Sequence, residues 1–345
     1  MNILAIDTSC DETAASVTNG RRVLSNIIYS QVLLHQKWGG VVPLLAKRAH
    51  EERIDGVIQL AIKKARVSWG DIGAIAVTQG PGLAIALQVG VQKAKELAQK
   101  YNKPLIGINH LEGHLYSVFA QNTKGNPKRD IKFPYLSMII SGGHTEFVLW
   151  KGFSEYELLG ATLDDAAGEA LDKAGKLLGL GYPAGAVIER LAESVHHSDT
   201  YLFPRPIKYS KDLNFSFSGL KTSIYYYLKT ISPDEKQKNV AAFASSFQEA
   251  VFETIIYKAE RAMKQTGINR LVIGGGVAAN LYLRKKFRLL VKKYAGTVYF
   301  PSMKTLTGDN AAMIGIAAWK QAEQGKFSGI DFDRDPRMKI SSSCK

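Results

Sequence analysis

Short hydrophobic runs alternate along this chain with longer stretches in which apolar residues recur three and four positions apart. The short runs, bounded by Gly, Pro or Asp, are typical of buried strands, and the longer stretches predict helices. In the first part of the chain, the predicted strands are residues 3–6, 14–18, 23–29, 74–78 and 105–108. The predicted helices are residues 43–65, 83–100 and the segment that begins at His110. A hairpin followed by alternating strands and helices indicates an α/β fold.

The same plan begins again after residues 122–132, which contain Gly, Pro and mixed charge and are interpreted as a surface loop. Strands are predicted at residues 135–140 and 145–150, with a tight polar turn between them. This repeats the order strand, polar turn, strand of the amino terminus, which predicts an internal duplication. Further predicted elements are helices at 164–173, 187–195 and 233–264, strands at 271–273 and 297–300, and a final helix that opens within 305–313.

Size and composition fit a protein with a large packed interior. With 345 residues, of which 46% are hydrophobic, two domains or one duplicated domain are expected. The two cysteines, Cys10 and Cys344, lie near opposite ends, so no disulfide framework or Cys-x-x-Cys site is expected. The chain enters a strand without a basic leader, and no run approaches the ~20 apolar residues of a spanning helix. These features predict a cytoplasmic protein without a membrane segment.

The chain is strongly basic. Lys and Arg number 45 against 31 Asp and Glu, so the formal net charge is 45 − 31 = +14. This excess favours an anionic partner such as nucleic acid. A generally basic proteome explains it equally well, because the charge does not gather in one block.

His110 and His114 are the most informative polar pair. Four positions apart on a helix, they share one face, with Cβ atoms roughly 5–6 Å apart. They follow the predicted strand 105–108, and ligands in open α/β sheets gather beyond the carboxyl ends of strands. The pair could seat a metal or could be two surface histidines. Asp309, near the start of the final helix, is the best third ligand, and two His with one carboxylate suit ferrous iron or zinc.

A zinc protease is the competing interpretation of this motif. In His-Glu-x-x-His the catalytic Glu follows the first His directly. Here Glu112 lies two positions after His110, about 200° around the helix, and would point away from a metal. Hydrolysis by that mechanism is therefore disfavoured.

Several polar and glycine-rich segments suggest binding of a phosphate or a nucleoside. Residues 79–82 precede a helix whose free amides suit an anion, and the glycines at 274–276 let a ribose or a flat ring lie against the backbone. Asp172 could bond sugar hydroxyls or pair with Lys176. Residues 214–222 interleave aromatics, hydroxyls and cations, which suits RNA, although packing under a loop explains the aromatics equally well.

A series of stretches in chain order resembles one family, the tRNA adenosine threonylcarbamoyltransferases. These are the TsaD proteins of bacteria, also called the Gcp or O-sialoglycoprotein endopeptidase-like family. The matching stretches are residues 7–13, 79–83, 110–114, 141–145, 164–173, 214–222, 274–280 and 307–313. The resemblance implies an α/β actin-like ATPase and sugar kinase fold with two duplicated lobes and a central cleft.

The implied domains are an amino-terminal lobe at 1–121, the loop 122–132, a carboxy-terminal lobe at 133–336 and a tail at 337–345. A helical insertion is expected in the second lobe at about 164–266. The final helix, about 307–324, is expected to pack back on the first lobe.

The resemblance also implies a reaction. The L-threonylcarbamoyl group of threonylcarbamoyl-AMP is transferred to N6 of the adenosine 3′-adjacent to the anticodon, in tRNAs reading codons that begin with A, and AMP leaves. His110, His114 and Asp309 would hold one divalent metal, with Fe²⁺ favoured and Zn²⁺ possible. Asp11 or Glu12 would orient the attacking amine or take its proton. The residues implied in binding the adenylate are Ile139, Ile140, Ser141, Gly142, Gly143, Asp172, Gly185 and Asn280. The implied partners are tRNA, a TsaB-like paralogue and a TsaE-like ATPase, with no membrane.

Two alternative functions remain open, and two residues of this chain differ from the family pattern. A sugar-kinase-like phosphotransferase would need a base beside a sugar hydroxyl and would have no use for His110 and His114. The other alternative is a nucleotide-gated RNA-binding subunit without chemistry. Ala184 stands where relatives commonly have Gly, and its methyl could crowd a ribose unless its φ is negative. Asp7 stands where many bacterial members have Glu.

Overall fold

The computed structural model describes residues 1–340. Residues 341–345, with Cys344, lie outside this part, so the predicted tail at 337–345 is described only as far as Ile340. The described chain forms two compact units. Met1–Lys132 joins residues 301–340 in the first unit, and Phe133–Phe300 forms the second.

Within the described residues, the strands are β1 (Asn2–Asp7), β2 (Glu12–Asn19), β3 (Arg22–Ser30), β4 (Ile72–Gly80), β5 (Leu105–Asn109), β6 (Tyr135–Ile140), β7 (Thr145–Gly152), β8 (Glu155–Ala161), β9 (Arg270–Gly274) and β10 (Thr297–Tyr299). The helices of the same part are α1 (Val32–Gln36), α2 (Pro43–Ala65), α3 (Ala84–Tyr101), α4 (His110–Tyr116), α5 (Ala167–Leu178), α6 (Gly185–Ser194), α7 (Ser218–Lys229), α8 (Pro233–Lys238), α9 (Val240–Thr266), α10 (Leu281–Lys293) and α11 (Ala311–Glu323). Across residues 1–340, none of these helices combines the length and the apolar composition that a membrane span requires.

The sheet of the first unit has the strand order β3-β2-β1-β4-β5. The polar turn after Asp7 closes a hairpin, since β1 and β2 are antiparallel with Ile6 opposite Ala15. β1 pairs in parallel with β4, and β4 with β5, so the carboxyl ends of these three strands lie at one edge. Side chains of α2 and α3, among them Ile54 and Val91, pack on the apolar residues of these strands in one core.

The sheet of the second unit repeats this topology with the order β10-β9-β6-β7-β8. β6 and β7 form the hairpin, β8 extends it, and β9 and β10 run parallel to β6. The duplicated α/β plan expected from the sequence is therefore confirmed. β8 is not predicted from the sequence, because it is an edge strand in which exposed residues such as Glu157 and Leu158 interrupt the apolar run.

The helices of the second unit share one core with its sheet. α9 contributes Phe243 and Phe247, which are fully buried, as is Phe215 before α7. The acidic stretch at 164–173 was expected to place its first carboxylates at the start of one helix. Instead α5 begins at Ala167, and the carboxylate of Asp164 accepts hydrogen bonds from the backbone of Phe217 and Ser218 at the start of α7. The residue that precedes α7, Phe217, has no side chain that can cap the helix. The carboxylate of Asp164 therefore accepts from the free backbone N–H groups at the helix start.

Helix α11 belongs to the first unit, where it contacts β1, β2 and α4. Close packing requires glycine at position 315, since a Cβ there would lie 2.6 Å from Oγ1 of Thr18. The family resemblance implies a second lobe at residues 133–336. In the structure, residues 301–340 make their contacts with the first unit, because α11 buries its apolar residues there. Consequently Asp309, just before α11, lies in the same unit as His110.

Candidate functional site

The passage from β5 into α4 sets the positions of the two histidines. Asn109 caps the helix, and its Oδ1 accepts hydrogen bonds from the backbone N–H groups of Leu111 at 2.8 Å and Glu112 at 3.2 Å. The helix therefore begins at His110, so His114 lies one turn later on the same face. The two rings lie edge to face, with centroids 4.7 Å apart.

Asp309 approaches this pair from the loop before α11. Its Oδ1 lies 3.4 Å from Nε2 of His110 and 3.2 Å from Nε2 of His114. Asn310 fixes this loop, because its side chain caps α11 by accepting from the N–H of Met313 at 3.0 Å. Among the His, Cys, Asp and Glu side chains of residues 1–340, these three offer ligand atoms within 4.8 Å of one another.

The separations fit the ligands of one cation. Tetrahedral ligands held about 2.0–2.2 Å from a metal lie about 3.4 Å from each other, close to the two Nε2–Oδ1 distances. His114 is fully buried, yet neither of its ring nitrogens makes a well-aligned hydrogen bond within the described part of the chain. Buried polar atoms of this kind are costly unless something engages them. The donor set and its geometry therefore suit a metal ion.

Burial and mutual attraction together set the ionisation of these groups. Burial alone would raise the pKa of Asp309, but the two histidines hold it well below its usual range. For His110, the attraction of Asp309 and Asp7 outweighs burial, and the pKa is raised. For His114, burial prevails and the pKa is lowered. The ionised carboxylate of Asp309 and the neutral imidazole of His114 are the forms in which these residues ligate metals, whereas His110 would have to lose its proton to do so.

Asp7 adds a further buried charge at the end of β1. Its Oδ1 accepts hydrogen bonds from Oγ1 of Thr78 at 2.7 Å and from the N–H of Ser9 at 3.1 Å. Its Oδ2 has no partner among residues 1–340. Burial raises the pKa of Asp7, and its charge acts on both His110 and Asp309. Although Asp7 is shorter than the Glu of many bacterial members, its carboxyl group still acts electrostatically on His110 and His114.

Asp11 is the last residue of the turn between β1 and β2, and Glu12 is the first residue of β2. Both are partly exposed. Burial and the negative charge of Asp11 raise the pKa of Glu12 to about 10. The Oε1 atom of Glu12 also accepts a 3.3 Å hydrogen bond from Oγ of Ser30. Glu12 therefore carries its proton at neutral pH.

A buried network from α1 and α2 holds this turn in place. The Nε2 atom of His50 lies 3.0 Å from the carbonyl oxygen of Cys10, which can only accept, so Nε2 carries the proton. The Nδ1 atom then accepts from Thr13 at 2.8 Å or Gln31 at 3.2 Å. Burial lowers the pKa of His50, in agreement with a neutral ring. The backbone N–H of Gln31 also donates to the carbonyl oxygen of Asp11 at 2.9 Å.

The network continues through a second histidine. The Oε1 atom of Gln31 accepts from Nε2 of His35 at 3.1 Å, and Nδ1 of His35 accepts from the N–H of Val42 at 3.3 Å. In both rings Nε2 faces an oxygen that accepts and Nδ1 faces a donor, so the network specifies both tautomers. The roles of Gln31, His35 and His50 are not evident from the sequence, because isolated histidines and a glutamine carry no pattern that reveals their partners.

The residues expected to bind the adenylate lie in the second unit. Ile139 and Ile140 are buried in β6, and the following turn exposes Gly142 and Gly143. Gly275 lies against this turn with a φ of 92°, and a Cβ there would lie 2.4 Å from the carbonyl oxygen of Ile140. Glycine is therefore required at position 275 for close approach to β6.

Asp172, Ala184 and Gly185 are neighbours in this unit. The Oδ1 atom of Asp172 accepts a 2.7 Å hydrogen bond from the N–H of Ala184, which immediately precedes α6. Ala184 has φ −98°, and its methyl group is buried against Gly175, where an added Cβ would lie 2.0 Å away. The alanine is thus accommodated without backbone strain, and a glycine at 175 makes the room.

Asn280 has a structural task of its own. Its Oδ1 caps α10 by accepting from the N–H of Leu283 at 2.9 Å, and its Nδ2 donates to Oε1 of Gln248 at 2.9 Å.

The amides at the helix start predicted at residues 83–84 are partly hydrogen-bonded within the protein, because the N–H of Leu83 donates to the carbonyl oxygen of Ser9 at 2.8 Å. The structure thus brings His110, His114 and Asp309 together in the first unit, and the residues expected to bind the adenylate all belong to the second.

Comparison with known sequences gives a consistent result. The family model for tRNA N6-adenosine threonylcarbamoyltransferase matches residues 22–316. A tRNA N6-adenosine threonylcarbamoyltransferase of Endomicrobium trichonymphae is 48% identical to this chain, with 99% of both proteins covered. One of Clostridioides difficile (strain 630) is 46% identical, with 98% of both covered.

Solved structures with a similar fold are much more distant in sequence. The activator of the 2-hydroxyisocaproyl-CoA dehydratase from Clostridium difficile has a TM-score of 0.53 at 13% identity, covering 94% of this chain and 97% of its own. HypF of T. kodakarensis has a TM-score of 0.58 at 14% identity, covering 95% of this chain and 49% of its own. These similarities concern the fold alone, and they confirm the expected actin-like ATPase and sugar kinase architecture.

Proposed function

Because this chain belongs to the tRNA N6-adenosine threonylcarbamoyltransferase family, we propose that it transfers the threonylcarbamoyl group of threonylcarbamoyl-AMP to N6 of a tRNA adenosine, releasing AMP. The target is the adenosine 3′-adjacent to the anticodon in tRNAs reading codons that begin with A. The observation that carries the proposal is the family match, which spans residues 22–316 and includes His110, His114 and Asp309. The enzyme is an acyltransferase.

We propose that these three residues hold one divalent metal. Two imidazoles and one carboxylate leave coordination positions open, a donor set that favours Fe²⁺, with Zn²⁺ as the second choice. When bound, the metal supplies a Lewis acid for the negative charge that develops during acyl transfer. Asp7 contributes a further negative charge in the same buried region, which favours a cation there.

The residues of the proposed adenylate site have different roles. Exposed glycines at 142 and 143 offer backbone to a phosphate without interference from a Cβ. The carboxylate of Asp172, oriented by the N–H of Ala184, suits a ribose hydroxyl. The side chain of Asn280 is engaged with α10 and Gln248, so its proposed contribution is to fix the glycine-rich segment.

The transfer requires one proton to leave the attacking amine. The N6–carbon bond forms, the bond from the carbamoyl carbon to the phosphate oxygen breaks, and AMP departs with the electron pair. Glu12 already carries a proton at neutral pH, since its pKa is raised to about 10. We therefore propose Asp11 as the group that orients the amine or accepts the proton, with Glu12 beside it as a hydrogen-bond donor.

The proposed partners follow from the family. They are tRNA, a TsaB-like paralogue and a TsaE-like ATPase, and the chain alone is expected to be nearly inactive. A cytoplasmic location follows from the tRNA substrate.

Reconstitution tests the proposal. The chain is mixed with its two partner proteins, threonylcarbamoyl-AMP and unmodified tRNA, and the digested nucleosides are measured by mass spectrometry. Threonylcarbamoyladenosine is expected only when the chain is present. If tRNA is bound but no modified nucleoside forms, the proposal is wrong and an RNA-binding role without chemistry is favoured.

A further inference from the structure

Helix α10 presents an unusual concentration of positive charge. Its sequence, residues 281–293, contains no Asp or Glu. Its basic residues are Arg284, Lys285, Lys286, Arg288, Lys292 and Lys293. A solvated helix surface usually alternates charges of both signs, whereas this helix carries one sign only.

Five of the six basic residues divide into two groups by their partners, whereas Nε of Arg284 donates to the carbonyl oxygen of Ala278 at 2.6 Å. Lys286 pairs with Glu249 at 2.6 Å, and Lys293 pairs with Glu260 at 2.7 Å, so the side facing α9 is largely neutralised. Lys285, Arg288 and Lys292 are exposed, and none of them forms an ion pair within the described part of the chain.

The three unpaired cations form one row. They lie at intervals of three and four positions, so they share one face of α10 and span about 10 Å along its axis. The buried side of the helix fixes this row, because Leu283, Phe287 and Leu290 anchor it in the core of the second unit. A rigid row of cations is suited to successive phosphates along one nucleic-acid strand.

The location of the row connects it with the proposed adenylate site. Asn280 caps α10, so the helix begins directly after the glycine-rich segment that lies against β6. Along the helix axis, Lys285 lies about 7 Å and Lys292 about 18 Å from Asn280. The row therefore begins close to the proposed adenylate site and extends away from it along the helix.

We propose that Lys285, Arg288 and Lys292 form a phosphate-binding surface for the backbone of the substrate tRNA. This inference rests on the proposed function for the identity of the RNA. The surface contributes affinity and orientation but no sequence preference, since phosphate contacts carry no base information. An acidic protein partner is the competing occupant of this surface.

Binding measurements with matched charge variants test this inference. The variant Lys285→Gln/Arg288→Gln/Lys292→Gln is compared with Lys63→Gln/Lys64→Gln/Arg66→Gln, which removes the same charge from exposed residues at the end of α2. The probe is a fluorescein-labelled unmodified tRNA, titrated with the full chain over a range of salt concentrations. Thermal unfolding of both variants verifies that they are folded.

The α10 variant is expected to bind this tRNA at least about tenfold more weakly at moderate salt. The slope of log K against log salt should decrease by about 2–3, corresponding to three lost phosphate contacts. The α2 control should retain the wild-type affinity and slope. Equal losses in the two variants, or no loss in the α10 variant, would overturn the inference. If the wild type binds tRNA but yields no modified nucleoside, the proposed function fails, whereas the binding comparison still decides this inference.

Discussion

His110, His114 and His50 are buried in the same unit, but their neighbours give them different tasks. Both nitrogens of His50 have well-defined hydrogen-bond partners, so its ring holds the carbonyl group of Cys10 in place. The nitrogens of His114 have none of good geometry in the described chain, and its Nε2 lies beside Oδ1 of Asp309. The sequence cannot reveal this difference, because it depends on atoms contributed by distant segments.

The metal proposal gives a direct prediction for His114. Replacing it in His114→Ala removes one ligand of the proposed site, and the metal content of anaerobically purified protein should fall by about tenfold or more. Elemental mass spectrometry measures the metal, and the transfer assay measures activity, which should fall in parallel. His196→Ala, in the second unit, is the control and should retain both. Full metal content and activity in His114→Ala would show that the cluster is not a metal site.

The His50 network predicts a difference between two substitutions. His50→Ala removes the donor to the Cys10 carbonyl and the acceptor of Thr13 and Gln31, which should cost about 1–3 kcal/mol in the free energy of unfolding. Since the turn with Asp11 loses its support, kcat should also decrease more than KM changes. His50→Gln can still donate to the carbonyl and should recover most of the activity. If both variants were equally inactive, or both fully active, the positioning role would be refuted.

At the scale of single elements, the sequence was informative where a periodic apolar pattern coincided with burial. The hairpin β1–β2, the helix opened by Pro43 and the hairpin β6–β7 follow directly from such patterns. β8 did not, because exposure on an edge strand removes the apolar run that marks a strand. The role of Asp164 was also hidden, since the helix it caps is distant in sequence.

Glu146 in β7 makes the stability of the second unit depend on pH. Burial raises the pKa of its carboxyl group to about 7, from 4.5 in the unfolded chain. The folded state therefore binds more protons than the unfolded state between these values, so stability should decrease as pH rises from about 4.5 to 7. The loss is at most about 3 kcal/mol.

Thermal unfolding of wild type and Glu146→Gln at pH 5 and pH 8 measures this effect. The neutral amide should abolish most of the pH-dependent difference, so that the variant is the more stable protein at pH 8. Parallel changes in both proteins between the two pH values would rule out Glu146 as the cause.

At the scale of the whole molecule, one sheet topology is used twice for different chemistry. The first unit places histidines and carboxylates beyond its parallel strands, and the second places glycine-rich backbone there. The duplication was evident in the sequence because both hairpins share the same order of strands and turn. The position of Asp309 near the start of the final helix suggested it as a third ligand, but the sequence could not show that it meets the histidines, because α11 returns to the first unit through long-range packing.

If this chain transfers an acyl group from an adenylate to tRNA, each turnover must consume one adenylate and modify one adenosine, and single-turnover stoichiometry measures this. The complete system receives threonylcarbamoyl-AMP labelled with ¹³C at the carbamoyl carbon, together with unmodified tRNA, in the absence of ATP. Mass spectrometry should find one labelled threonylcarbamoyladenosine for each AMP released. Release of AMP without label in the tRNA, or modification of the tRNA without the label, would contradict the account.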